Sequence, residues 1–138
     1  LHLLSRRQRQ MCIRDRAYIE SEMARITDIC REFSVVSKVI FENCYLTEDE
    51  KKTLCHIATK VKPDFIKTST GFGTGGATFE DVALMKRETE GSGVKIKAAG
   101  GIRTLKTALE MINLGVSRIG STSSVAIMEE YMANSPLL

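Results

Sequence analysis

The chain has 138 residues, 43% of them apolar and 27% charged, with 20 Lys+Arg against 17 Asp+Glu and a net charge of +3. That length favours one domain, and that composition excludes a disordered chain. No run of 18 apolar residues occurs, so no membrane-spanning helix is expected, and no membrane partner. The charge is unevenly placed. Residues 1–16 hold Arg6, Arg7, Arg9, Arg14 and Arg16 against Asp15 alone, which is +4 and leaves −1 for the rest. This stretch reads as a non-native or disordered basic tail, and its QRQMCIRDR string resembles translated adapter sequence. A basic arm for nucleic acid is the other reading, but it rests on the tail alone, and no nucleic-acid partner is expected of the body. A signal peptide fails for want of an apolar segment after the charges. Cys12, Cys30, Cys44 and Cys55 form no C-x-x-C pair and no metal spacing with His2 or His56. No metal is expected, and a reducing cytoplasmic setting fits.

Residues 17–33 carry Ile19, Met23, Ile26 and Ile29/Cys30 at helical spacing and predict an amphipathic helix. The β-branched run 35–42 predicts a strand. Thr47-Glu-Asp-Glu50 is a capping-box start for a helix with Leu54, Ile57, Ala58 and Val61 on one face, ended by Pro63 and Asp64. A strand follows over 65–68. Thr78 opens a helix that buries Val82, Leu84 and Met85, and Gly91-Ser-Gly93 breaks it. Residues 94–99 predict a third strand, 104–113 a helix closed by Leu114-Gly115, 117–121 a fourth strand, and 125–132 a last helix. Strand then helix, four times, predicts an α/β fold with a parallel sheet. The strands look apolar enough to be covered on both faces. An open doubly wound sheet and half of a (β/α)8 barrel both fit, since a whole barrel needs about 250 residues.

Lys38, Lys67 and Lys97 lie 29 and 30 residues apart, one strand–helix unit each. The spacing predicts equivalent places on three neighbouring strands. Lysine is depleted in strands, and its plain reading is a strand end that reaches solvent. Lys95 is assigned that role. Three lysines in a partly dry site depress one another's pKa by repulsion and burial, which suits Schiff-base chemistry or anion binding.

Three loops follow the strand ends: 68–77 with Thr70 and Gly71, 98–103 with Gly100 and Gly101, and Gly120-Ser-Thr-Ser-Ser124 with Thr122 and Ser123. Glycine backbones and helix-start amides suit phosphate, although ordinary turn chemistry explains such loops too. Gly71-x-Gly73-x-x-Gly76 matches the dinucleotide fingerprint, but the next strand ends without a carboxylate, so no cofactor is expected. His56 reads as a surface residue. Cys44 lies near the possible site, and packing explains it better than nucleophilic catalysis.

At KVIFENCYLTEDEK, DFIKTSTGFGTGGAT, VKIKAAGGIRT and RIGSTSSVAI, residues 17–133 resemble deoxyribose-phosphate aldolase, a class I aldolase on a (β/α)8 barrel. The resemblance implies that residues 17–138 are the C-terminal half of a TIM barrel, strands five to eight with their helices. It implies reversible cleavage of 2-deoxy-D-ribose 5-phosphate to glyceraldehyde 3-phosphate and acetaldehyde, with no metal or organic cofactor. It gives Lys67 the Schiff base, Lys97 a pKa-perturbing and proton-transferring role, and Lys38 a place in the same pocket. Thr70, Gly71, Gly100, Gly101, Thr122 and Ser123 fall in its phosphate-binding loops. Family members commonly show G-T-S-S-G or G-A-S-S where Ser121 begins the last loop. Nothing before Lys38 matches the strand that carries the family's proton-relay aspartate. The fragment alone is therefore expected to be nearly inactive, and its two open sheet edges invite a homodimer or aggregation. A different Schiff-base sugar-phosphate aldolase and a non-catalytic phosphate-binding half barrel are the alternatives.

Overall fold

The computed structural model describes residues 15–134, so the tail reading of 1–16 lies almost wholly outside the described residues. Helix α1 (Arg16–Glu32) leads to β1 (Lys38–Ile40), α2 (Glu48–Val61), β2 (Phe65–Lys67) and α3 (Phe79–Glu88). Then come β3 (Lys95–Ala99), α4 (Leu105–Asn113), β4 (Arg118–Gly120) and α5 (Ser124–Asn134). Three of the helices start on a threonine whose hydroxyl accepts a first-turn amide: Thr47 from Glu50, Thr78 from Asp81 and Thr104 from Thr107. Glu50 returns the contact by accepting the Thr47 amide, which completes the capping box expected there. Lys62 in the left-handed region, at φ 58°, stops α2 just before Pro63.

All pairings are parallel, and the strands lie in the order β1-β2-β3-β4. A doubly wound sheet reverses direction partway, and these four strands show no such reversal. Every crossover advances the same way, and all five helices contribute to one apolar cluster on one face of the sheet. Ile66, Ile96 and Ala98 point into that cluster, flanked by Val39 and Ile119. Successive side chains alternate between faces. The opposite face therefore carries a row of Lys38, Phe65 and Lys95, and beyond it a row of Ile40, Lys67, Lys97 and Arg118. The expectation of strands apolar on both faces is thus wrong. One face is apolar and covered, and the other is cationic.

The starts of β1 and β2 are tied by a reciprocal clasp. Ser37 donates its amide and hydroxyl to Asp64, and the Asp64 amide donates back to the Ser37 hydroxyl. The two bonds from Ser37 hold the Asp64 carboxyl below its usual pKa. Helix α2 is joined to α3 by a Lys51–Asp81 ion pair at 2.6 Å.

Helix α1 departs from its expected face. Met23 and Thr27 are buried, whereas Ile26 and Ile29 are each more than half exposed. Phe33, Val35 and Val36 are exposed on the same flank, beside the edge strand β1. On the β4 flank, Leu109, Ile112, Val125, Met128 and Met132 are exposed. Among the described residues neither edge strand has an outer neighbour. Apolar side chains beside unpaired strand edges promote association. The purified chain should show a concentration-dependent rise in mass by light scattering, and a strictly monomeric chain at high concentration would contradict this.

Candidate functional site

The candidate site is built at the carboxyl ends of the strands, where the backbone ladder continues past the last paired residues. Phe41 and Asn43 donate their amides to Lys67 and Thr68, and Thr68 donates to Lys97. The fully buried Thr68 hydroxyl bridges to Ala99, accepting its amide and donating to its carbonyl, both at 3.1 Å. The three strand ends are therefore held in a fixed relation before any side chain enters the site.

Lys67 and Lys97 are direct register partners on β2 and β3, and Arg118 on β4 continues the row. Lys38 does not share it. Its partner is Phe65, and Ile40 stands opposite Lys67. The even spacing of 29 and 30 residues misleads because the β1-to-β2 unit is set by its loops. Lys38 therefore sits two residues nearer the start of its strand, on the same face. Lys95 shares the Phe65 row and is exposed, as expected.

Phe65 underlies this charge. The Lys38 and Lys95 ammonium groups lie 5.8 and 5.7 Å from its ring centre, and the Arg118 guanidinium 4.5 Å. The ring's negative face partly offsets their repulsion. Among the described residues no carboxylate pairs with Lys38, Lys67, Lys95, Lys97 or Arg118. Burial first, then the charges of Lys38, Lys67 and Arg118, lowers the pKa of Lys97 from the ordinary lysine value. A lowered pKa makes the neutral amine, able to take a proton or attack a carbonyl, accessible nearer neutral pH.

Gly120 makes room for that amine. A Cβ built there would stand 2.9 Å from the Ala99 Cβ and 3.0 Å from the Lys97 Cε. The sequence offered one signal for this, a glycine inside a strand, which marks close approach. Ser121 went unassigned as well. Its hydroxyl donates to the Ile102 carbonyl and accepts the Ser123 amide, so it ties the last loop to the Gly100-Gly101 loop. That loop is itself crossed by 68–77. Ala77 donates to the Gly100 carbonyl, and a Cβ on Gly76 would collide with the same carbonyl. Gly100 and Gly101 both have positive φ, 92° and 78°.

Of the other expected binding residues, Gly71 (φ 96°) and Thr122 are exposed at the loop surface. The Thr70 amide is held by Glu42, and its hydroxyl accepts the Phe72 amide. The Ser123 amide is taken by Ser121, so neither of these two amides is open to a ligand. Gly71-x-Gly73-x-x-Gly76 ends before α3 starts at Phe79, so the third glycine is not inside the helix as a dinucleotide site requires. Cys44 packs under the loop near Gly73 and Gly75, and His56 is exposed on α2 beside Glu88. No group of metal-binding side chains assembles among the described residues. A separate cleft lined by Phe79, Glu110, Asn113 and Leu114 contains none of the lysines.

Lysines paired across a parallel sheet, behind crossed glycine loops, define a class of α/β proteins equipped for carbonyl and phosphate chemistry. The comparisons narrow that class. The deoxyribose-phosphate aldolase of Lactobacillus acidophilus is 53% identical over 120 residues, covering 87% of this chain and 50% of its own length. A solved aldolase, QR15, superposes with a TM-score of 0.78 at 43% identity, over 87% of this chain and 53% of its own. A tetrameric deoxyribose phosphate aldolase from Aeropyrum pernix gives a TM-score of 0.78 at 26% identity, over 87% and 51%. No family model matches. The chain spans about half the length of the curated relatives it matches. Over that span it belongs to the deoxyribose-phosphate aldolase family.

Two outcomes follow from this geometry. Titrating amine labelling by mass spectrometry should give Lys97 a midpoint below that of an ordinary lysine, and Lys38→Met should raise it by removing a positive neighbour; a midpoint that falls would reverse the electrostatic account. Gly120→Ala should lower stability by about 1–3 kcal/mol, the usual scale of overpacking, read as a drop in Tm.

Proposed function

We propose that this chain forms strands five to eight of a (β/α)8 barrel and supplies the Schiff-base half of a deoxyribose-phosphate aldolase site. The barrel portion runs from α1 onward. The observation that carries this reading is the direct pairing of Lys67 with Lys97, whose pKa is lowered, on one open sheet face.

The neutral Lys67 amine adds to the C1 aldehyde of 2-deoxy-D-ribose 5-phosphate. Loss of water from the carbinolamine gives an iminium. A base takes the C3 hydroxyl proton, the C2–C3 bond breaks, and its electron pair moves into the iminium. Glyceraldehyde 3-phosphate leaves, and an enamine remains on Lys67. Protonation at C2 and hydrolysis then release acetaldehyde and restore the amine. Each proton move needs a positioned acid or base. Lys97, one strand away with its lowered pKa, suits part of that work. Gly100, Gly101, Thr122 and Ser123, with Gly71 across the mouth, form the wall for the sugar phosphate. Lys38 and Arg118 add positive potential that favours the dianion. Such a reaction serves deoxyribose phosphate breakdown, and four cysteines without C-x-x-C spacing support a reducing, cytoplasmic setting for it.

The test is reductive trapping. Borohydride with acetaldehyde should ethylate Lys67, found by peptide mass spectrometry, and Lys67→Arg should abolish the mark. Labelling spread evenly over surface lysines, or undiminished in the variant, would remove the Schiff-base assignment. Sugar-phosphate binding without any trapping would favour the non-catalytic alternative.

A further inference from the structure

Glu42 follows β1 and has φ 57° and ψ 60°, a left-handed conformation unusual for a glutamate. Its neighbours explain how that conformation is held. The Phe41 and Asn43 amides are both committed to the end of β2, at 2.9 Å from the Lys67 and Thr68 carbonyls. The backbone between those two anchors is turned so that the Glu42 side chain reaches loop 68–77. There both carboxylate oxygens lie 3.1 Å from the Thr70 amide. The same carboxylate lies under Gly73, where an added Cβ would come within 3.0 Å of Oε1 and 2.9 Å of the Cys44 sulfur. Backbone held in a sparsely populated region points to a constraint imposed by its surroundings. Here the surroundings are the loop that leads away from Lys67.

We infer that Glu42 is a positioning residue, which clamps the loop after β2 so that its Gly71 side stays fixed over the lysine row for the phosphorylated end of the substrate. The inference deepens the aldolase reading above and rests on it. A hydrogen bond to a charged acceptor is about twice as strong as a neutral one, so a carboxylate on the Thr70 amide is a firm anchor. The loop has few other ties of this kind. Thr70 folds its hydroxyl back on the Phe72 amide, and Phe72 itself is 97% exposed and packs on nothing. At its far end the loop is held by the Gly76–Gly100 crossing. Between the Thr70 anchor and that crossing, residues 71–75 rest on the Glu42 carboxylate and Cys44, under Gly73 and Gly75. Loss of the clamp frees the Gly71 side of the loop and leaves Lys67, which is fixed by the sheet ladder, where it is.

That separation gives the test. Cyanoborohydride trapping on Lys67 is measured on this chain with acetaldehyde, which has no phosphate, and with 2-deoxyribose 5-phosphate over a concentration series. Glu42→Ala should raise the half-saturating sugar-phosphate concentration by about tenfold, the scale of one charged hydrogen bond, while acetaldehyde trapping stays within about twofold. Glu42→Gln retains an acceptor oxygen for the Thr70 amide and should recover most of the loss. Gly73→Ala retains the carboxylate but pushes the loop off it, and should resemble Glu42→Ala. Equal loss of both trapping reactions, or no change in either, overturns the inference. If the wild-type chain traps neither compound, Schiff-base formation by this half alone fails, and the clamp is judged by hydrogen exchange. Faster exchange of the Thr70 amide in Glu42→Ala, restored in Glu42→Gln, then supports the clamp, and unchanged exchange overturns it.

Discussion

Repulsion between ammonium groups on adjacent strands is the constraint around which this sheet is arranged. Lys67 and Lys97 are direct partners in the ladder, with Arg118 next in the row and Lys38 and Lys95 one row below. Such a cluster costs free energy on every approach of like charges, and no carboxylate among the described residues relieves it. Three features make the arrangement tolerable. The face is open to water, which screens the charges. The Phe65 ring lies beneath three of the cations. The strands are locked from behind by an apolar cluster that draws on every helix. The last point matters most, because the rigid face carries the strain of the charged one.

The same asymmetry favours the neutral form of the Lys97 amine. A lysine free in solution stays protonated at neutral pH and is a poor nucleophile. Crowding with other cations favours release of a proton, and partial burial pushes the same way. Lys97 shows both effects, with burial the larger. The repulsion within the charge cluster and the lowered pKa of Lys97 are one property seen from two sides.

Much of this was legible in the sequence, and what was not has a physical reason. The threonine caps at 47, 78 and 104 are local, made with residues three positions on, so the sequence displays both partners. The alternation of strand and helix displayed the parallel sheet in the same way. Register is different. It depends on how many residues each loop consumes, and so Lys38 was placed level with Lys67 when its true partner is Phe65. The exposure of Ile26 and Ile29 also escaped the reading, since apolar spacing shows an amphipathic face but not what covers it. Gly120, Ser121 and Glu42 act across distances of 19 to 28 residues in the chain, through contacts that only the folded backbone brings about. Glu42 gave no sequence signal at all, because a glutamate after a strand is ordinary and its left-handed backbone is not written in its side chain.

The crossing of Gly76 over Gly100 limits how such a site can diversify. Two backbones in contact without side chains between them cannot be re-spaced one at a time. An insertion near Gly76 would have to be matched by a compensating change near Gly100, since the Ala77 amide is bonded to the same carbonyl that the glycine touches. Freedom to vary is left to Phe72 and Thr74, whose side chains are exposed on either side of the closely packed Gly73. Variation is therefore more accessible through exchange of those two side chains, Phe72 foremost, than through changes in the length of either loop.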